Sequence, residues 1–177
     1  EITYGDWSSD VCSSDLQSGL ADLGPNQDPN PWFFGVSYNV IRSNANLLSI
    51  RLLYSFYTGG AHPGSYHYGI TYDLSADRFL DLADLFSPGT DYLGALSDAC
   101  IAELRNRQDM LFPDFESGAA PTADNYRVWN LAPNGLLVTF EEYQVAPYAA
   151  GPQEVLVPYA ALSSLMRPEW VTRLTGN

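Results

Sequence analysis

The chain has 177 residues, 21 of them acidic against 8 basic, with no lysine, and a net charge of −13. Binding nucleic acid requires a basic surface to neutralise phosphate, so that class is excluded, whereas an acidic field favours cationic partners and speeds their encounter. No apolar run approaches the roughly 18 residues of a membrane helix, and the length suits one domain of ordinary size with a single buried core.

Residues 5–16, GDWSSDVCSSDL, stand apart from the remainder of the chain. From Asp6 to Leu16 they resemble the translation of a common sequencing-adapter oligonucleotide, and they read as an artefact. Cys12 then leaves the disulfide arithmetic and Cys100 stands alone. Asp6, Asp10 and Asp15 also leave the charge balance, which keeps its sign. The native N-terminus, with any export signal or membrane anchor, is expected upstream. Residues 17–31 shift to Gly, Pro, Asn and Asp, so 1–30 read as a disordered lead-in.

Trp32, Phe34, Val36, Tyr38 and Val40 alternate with smaller or polar neighbours, which predicts a first strand. A turn at 42–46 leads to a second, Leu47–Tyr57, with Leu48, Ile50, Leu52, Tyr54 and Phe56 on one face. A third, Ser65–Leu74, places Tyr66, Tyr68, Ile70 and Tyr72 on one face and His67, Thr71 and Asp73 on the other. Between them lies Tyr57-Thr58-Gly59-Gly60-Ala61-His62-Pro63-Gly64. Paired glycines suit positive φ or close approach, and Pro63 biases His62 to an extended backbone. The loop reads as a shaped turn that presents Thr58 and His62.

Asp91 or Thr90 can cap a helix in which Leu93, Leu96, Cys100 and Leu104 recur at helical spacing. Cys100 on that buried stripe reads as a packed thiol rather than a nucleophile. Residues 108–124 read as a long connection, and 125–131 and 136–145 as strands joined through Asn134-Gly135. A final strand, 154–157, precedes short helices at 159–166 and 168–174. The fold class is α+β: antiparallel hairpins, covered on one side by one long helix, with short C-terminal helices.

Five segments in order carry a resemblance: 47–64 (LLSIRLLYSFYTGGAHPG), 70–86 (ITYDLSADRFLDLADLF), the helix from Asp91, 135–162 and the closing helix. Together they are similar to an extracytoplasmic bacterial domain family of largely uncharacterised function. That family occurs in the C-terminal sensor region of the lysozyme-binding anti-sigma factor RsiV and in a non-catalytic region of the peptidoglycan deacetylase PdaC. The resemblance implies a small preceding domain ending over 31–57 and a domain of this type over 58–177. It further implies an envelope-facing binding module, attached to a membrane only through a missing N-terminal anchor, and a basic protein such as lysozyme as a candidate partner. The chain carries no polysaccharide-deacetylase motif, and its ending soon after the last helix argues against a following catalytic domain.

Chemistry has weak support. A zinc site would need His62, His67 and a carboxylate such as Asp73 to converge, and no HExxH-like helix supplies one. Asp81 and Asp84 are the other acidic candidates. Glu141-Glu142, read within a strand, points to opposite faces and cannot act as a carboxylate dyad. No GxSxG elbow, P-loop or dinucleotide fingerprint occurs. Tyrosine offers large amphipathic contact area at small entropic cost. The candidate ligand contacts are therefore Tyr57, Thr58, Gly59, Gly60, His62, Tyr66 and Tyr143, with Tyr148 beside the last in a second patch. No catalytic residue, metal ligand or cofactor is expected; the alternatives are a structural accessory domain of a cell-wall-associated protein and, with less support, a hydrolase or metal-dependent enzyme.

Overall fold

Strand periodicity in the first half of the chain becomes one antiparallel sheet in the computed structural model, which describes residues 32–175. The sheet has the order β1 (Phe33–Ser43), β2 (Leu47–Tyr57), β3 (Gly64–Asp73) and β4 (Arg78–Phe79). Register pairs Tyr54 with Val36 and Tyr66, and Leu52 with Tyr38 and Tyr68. A second sheet, order β5 (Trp129–Leu131), β6 (Gly135–Phe140) and β7 (Gln153–Pro158), lies against β2 and β3 through β5. The lead-in and the adapter-like stretch fall outside the described residues.

The long helix α1 (Tyr92–Leu104) begins where expected, the Asp91 carboxylate accepting from the Gly94 amide at 3.0 Å. It buries Leu96, Ser97, Cys100 and Leu104 and packs on β7, so it covers the second sheet. Cys100 is fully buried, and burial pushes its thiol up to about 12, which leaves it protonated at neutral pH. After α1 come the one-turn helices α2 (Phe115–Gly118) and α3 (Tyr159–Leu162), then α4 (Pro168–Thr175). The architecture is α+β, with a core of aliphatic and aromatic residues between the second sheet and the helices.

Four local expectations need correction. Residues 108–124 are not a plain loop: α2 lies within them, and Phe115 and Ala119 are buried in the core. Asn125 and Tyr126, read as the start of a strand, belong to a 3-10 turn over Ala123–Tyr126 that the Thr122 side chain caps by accepting from the Asn125 amide, and the strand begins at Trp129. The sixth strand stops at Phe140, so Glu141 and Glu142 stand in a turn, closed by the Gln144 amide donating to the Glu141 carbonyl at 3.0 Å. The helix read over 159–166 ends at Leu162.

The largest departure concerns which face of the first sheet is inside. Alternation groups the apolar residues correctly, but that group faces outward. Phe34, Tyr38, Tyr66, Tyr68 and Phe79 are 60, 68, 53, 55 and 69% exposed. Inward lie Ser49, Arg51, His67 and Thr71, against the second sheet rather than under the long helix, and Asp73, which meets the last helix. Ser49 is the hub: its hydroxyl lies 2.8 Å from that of Thr71 and accepts from the Asn130 side chain at 3.0 Å and the Leu131 amide at 3.1 Å. Arg51 donates to the Thr139 hydroxyl at 2.9 Å and pairs with Glu154. Ser49, Arg51 and Thr71 are tolerated inside because they are hydrogen-bonded, and unpaired they would cost about 1–3 kcal/mol each, whereas His67 Nδ1 and Asn130 Oδ1 are buried with no partner among the described residues. Close approach enforces the choice of face. A Cβ on Gly69 would stand 2.2 Å from the Trp129 carbonyl oxygen, so only glycine lets β3 and β5 meet there.

The far end of this sheet is tied to the last helix. Arg173 of α4 grips Asp73 with two parallel bonds of 2.7 and 2.8 Å, and its guanidinium lies 4.3 Å above the Trp170 ring.

Candidate functional site

The β2–β3 turn takes its shape from glycine torsions and one inward tyrosine. Gly59 and Gly60 have φ of +98° and +114°, the left-handed side that residues with a Cβ avoid. Tyr57 is only 7% exposed; its hydroxyl donates to the Gly60 carbonyl at 2.9 Å and its ring stacks on Phe33. The structure thus places Tyr57 as the internal prop of the loop, not among its exposed side chains. Thr58, Gly59, Gly60 and His62 lie on the exposed rim.

His62 does not point into empty solvent. Its Nδ1 is 2.8 Å from the Pro63 carbonyl oxygen, which can only accept, so Nδ1 carries a proton. In the neutral ring this leaves Nε2 as an acceptor for the Tyr143 hydroxyl, 3.1 Å away. The imidazole also stacks on Tyr148 at 3.9 Å between centroids, and Tyr148 stacks on Tyr143 at 6.0 Å. The two patches read separately from sequence are therefore one ridge.

Tyr143 reaches this position through an unusual backbone. Its φ is +67°, a left-handed torsion that costs a non-glycine residue roughly 1–2 kcal/mol. The surrounding turn holds it there. The Tyr143 amide donates to the Ala146 carbonyl at 2.9 Å, and the Gln144 side chain donates to the carbonyls of Gly118 and Asn125, both at 2.9 Å. The ring remains 58% exposed. Strain maintained beneath an exposed aromatic is the kind of outlier that points to function.

Beside the ridge runs a groove of about 290 Å³ lined by Tyr66, Arg127, Glu141, Glu142 and Tyr143, with a smaller hollow of about 160 Å³ against His62 and Tyr148. Its two carboxylates differ. Glu141 is buried, pairs with Arg127 and accepts from the His67 amide at 2.8 Å. Glu142 is half-buried and accepts from the Ser65 hydroxyl at 2.7 Å, with its remaining acceptor capacity toward the groove. Sequence alternation assigns Glu142 to a strand and so hides it as a site residue; a turn at Glu141–Gln144 is what brings it to Tyr143.

The other titratable candidates lie apart. His67 is 8% exposed and turned between the sheets, where desolvation by burial pulls its pKa below the ordinary value. Asp73 is held by Arg173, and Asp84 accepts from Arg78 and from the Asp81 amide. Among the described residues, no three His, Cys, Asp or Glu side chains gather as a metal-binding group.

Comparison with known proteins adds a framework. Residues 83–160 match the family model described as a protein of unknown function, DUF3298, and residues 17–65 match the model described as deacetylase PdaC. The peptidoglycan-N-acetylmuramic acid deacetylase PdaC of Bacillus subtilis is 26% identical over 140 residues, 78% of this chain. The chain spans only 30% of the length of that curated relative. A solved DUF3298 member from Bacteroides fragilis superposes with a TM-score of 0.67 at 25% identity, over 91% of this chain and 66% of that one. A DUF3298 protein from Pseudomonas aeruginosa gives 0.64 at 20% identity, over 89% and 70%. The chain thus has the α+β fold of these DUF3298 structures, and its residues 83–160 carry the sequence match to that family of unknown function.

Proposed function

We propose that this chain is a non-catalytic binding module of the bacterial envelope, outside the cytoplasm, and that the His62–Tyr143–Tyr148 ridge with its Glu142 groove is the contact surface for a cationic protein such as a lysozyme. One observation carries the reading: two turns 81 residues apart converge on an exposed aromatic ridge, one of them at a strained torsion, beside a half-buried carboxylate. Exposed tyrosines supply contact area, Glu142 supplies a counter-charge for a lysine or arginine, and the net charge of −13 steers a basic molecule toward it.

The non-catalytic reading is supported by how the acids and imidazoles are used. Glu141 is engaged by Arg127 and a backbone amide, and His67 is enclosed between sheets. His62 is occupied by a carbonyl on one side and a tyrosine on the other. The relationship to PdaC, a cell-wall enzyme by name, supports an envelope setting.

Calorimetry against hen lysozyme at low and at physiological salt tests the proposal. Binding should weaken with salt and fall at least about tenfold in Glu142→Gln and in Tyr143→Ala. Absence of binding at both salt levels would remove lysozyme, and binding indifferent to both substitutions would remove this site. A second reading, a structural module that supports a neighbour, draws on the exposed aromatic face of the first sheet.

A further inference from the structure

The outer face of the β1–β4 sheet is unlike the rest of the surface. Strand register places side chains of β1 from Phe34 to Val40, of β2 from Leu48 to Phe56, of β3 from Tyr66 to Tyr72 and Phe79 of β4 on this one side. Every one of these positions is aliphatic or aromatic, and none carries a charge. Phe34, Val36, Tyr38, Tyr66, Tyr68 and Phe79 are each more than half exposed. No described element of the chain lies over them: the second sheet and the helices are on the opposite side.

Apolar patches of this extent on soluble proteins mark contact surfaces. We propose that the face pairs with the same face of a second copy of this chain, sheet on sheet, in a two-fold symmetric dimer. Area and charge both favour that occupant. Aromatic side chains present on the order of 150–250 Å² each when fully exposed, so the exposed fractions leave about 700 Å² on this face. An isologous pair would then bury about 1,400 Å², within the size of stable specific interfaces. Two copies that each carry a net charge of −13 repel through most of their surfaces. This uncharged face is where they can meet without bringing carboxylates together. The alternating aromatic and β-branched rows can interdigitate as in a β-sandwich, with the strands of the two sheets about 30° apart.

Sedimentation velocity of the full chain over a wide concentration range, with Tyr38→Glu and Tyr68→Glu as variants, tests this. The expected result is a reversible dimer whose dissociation constant rises on the order of 100-fold or more in either variant, because symmetry places each new charge in the interface twice. The control Leu156→Glu, at an exposed apolar position on β7 of the other sheet, and Tyr143→Ala on the ridge should both leave the dimer intact, which separates this proposal from the binding site. Far-UV circular dichroism and thermal unfolding of the variants must match the parent for the loss to count. Hydroxyl-radical footprinting should show Tyr38 and Tyr68 reactive in dilute solution and protected at high concentration. A monomer at every concentration overturns the proposal. So does a dimer indifferent to both sheet-face charges, which would indicate pairing along the β1 edge, or protection of the tyrosines at all concentrations, which would indicate cover by residues 1–31.

Discussion

The Tyr143 hydroxyl meets Nε2 of His62 at 3.1 Å, joining the turn after β6 to the turn between β2 and β3. The bond depends on a left-handed torsion at Tyr143 that glycine would accept without strain. Tyr143→Gly should therefore leave stability unchanged or raise it by up to about 1 kcal/mol while weakening the proposed lysozyme contact at least about tenfold. Urea unfolding alongside the lysozyme titration separates the two effects. A loss of more than about 1 kcal/mol would mean the ring supports the fold and not the contact.

Gly69 sets how closely the two sheets approach. Gly69→Ala should destabilise by about 1–3 kcal/mol, because the new methyl would meet the Trp129 carbonyl oxygen, an atom of the backbone that cannot swing aside. Ser49→Ala, which breaks the hub between the same strands, should cost a similar amount by leaving the Leu131 amide unpaired. Chemical denaturation of the two variants checks both values, and near-neutral results would show that the sheets can slide apart without penalty.

Asp73 holds its carboxyl at about 2, well below the ordinary 3.8, chiefly through the Arg173 guanidinium, helped by the Ala76 and Ser75 amides and opposed by burial. A depressed carboxylate adds stability that is present above pH 4 and lost as pH falls from about 4 to about 2. The contribution is about 2 kcal/mol at neutral pH. Asp73→Asn should remove it at pH 7 and flatten the acid limb of the stability curve in that window. An unchanged acid limb would show that the pair is not formed in solution.

His67 acts over a different window. Burial lowers its pKa, against the opposing pull of Glu142, Glu141 and Glu154, while Arg51 lowers it further. Below the unfolded value of about 6.5 the unfolded chain takes up a proton that the folded chain resists, so stability falls as pH drops from there. His67→Gln should make the stability curve flatter on the acid side of about pH 6.5. Thermal unfolding at closely spaced pH values, parent against variant, reads that slope directly. Identical slopes would assign the acid sensitivity to other groups.

Much of the first sheet is legible in the sequence, because a period of two shows in the order of Leu48, Ile50, Leu52, Tyr54 and Phe56 and ends at the glycines of the turn. Helix α1 is legible for the same kind of reason, from a cap at Asp91 and a stripe ending at Leu104. The direction of the sheet is not. Periodicity tells which side chains share a face, and only the partner layer, with Asn130 waiting for Ser49 and a carbonyl waiting for Gly69, decides which face is turned in. Glu142 is hidden for a related reason. An alternating pattern continues smoothly through Phe140, and the stop depends on Gln144 reaching the distant carbonyls of Gly118 and Asn125. The union of His62 with Tyr148 cannot be read either, since nothing local in either turn refers to the other.

The layer between the sheets differs in kind from an oily seam. Greasy surfaces can glide and twist over one another at little cost, whereas the bonds from Ser49, Asn130 and Arg51 are directional and hold at one angle. Sliding one layer over the other would therefore break the Ser49, Asn130 and Arg51 bonds together, which fixes the angle at which the two sheets meet.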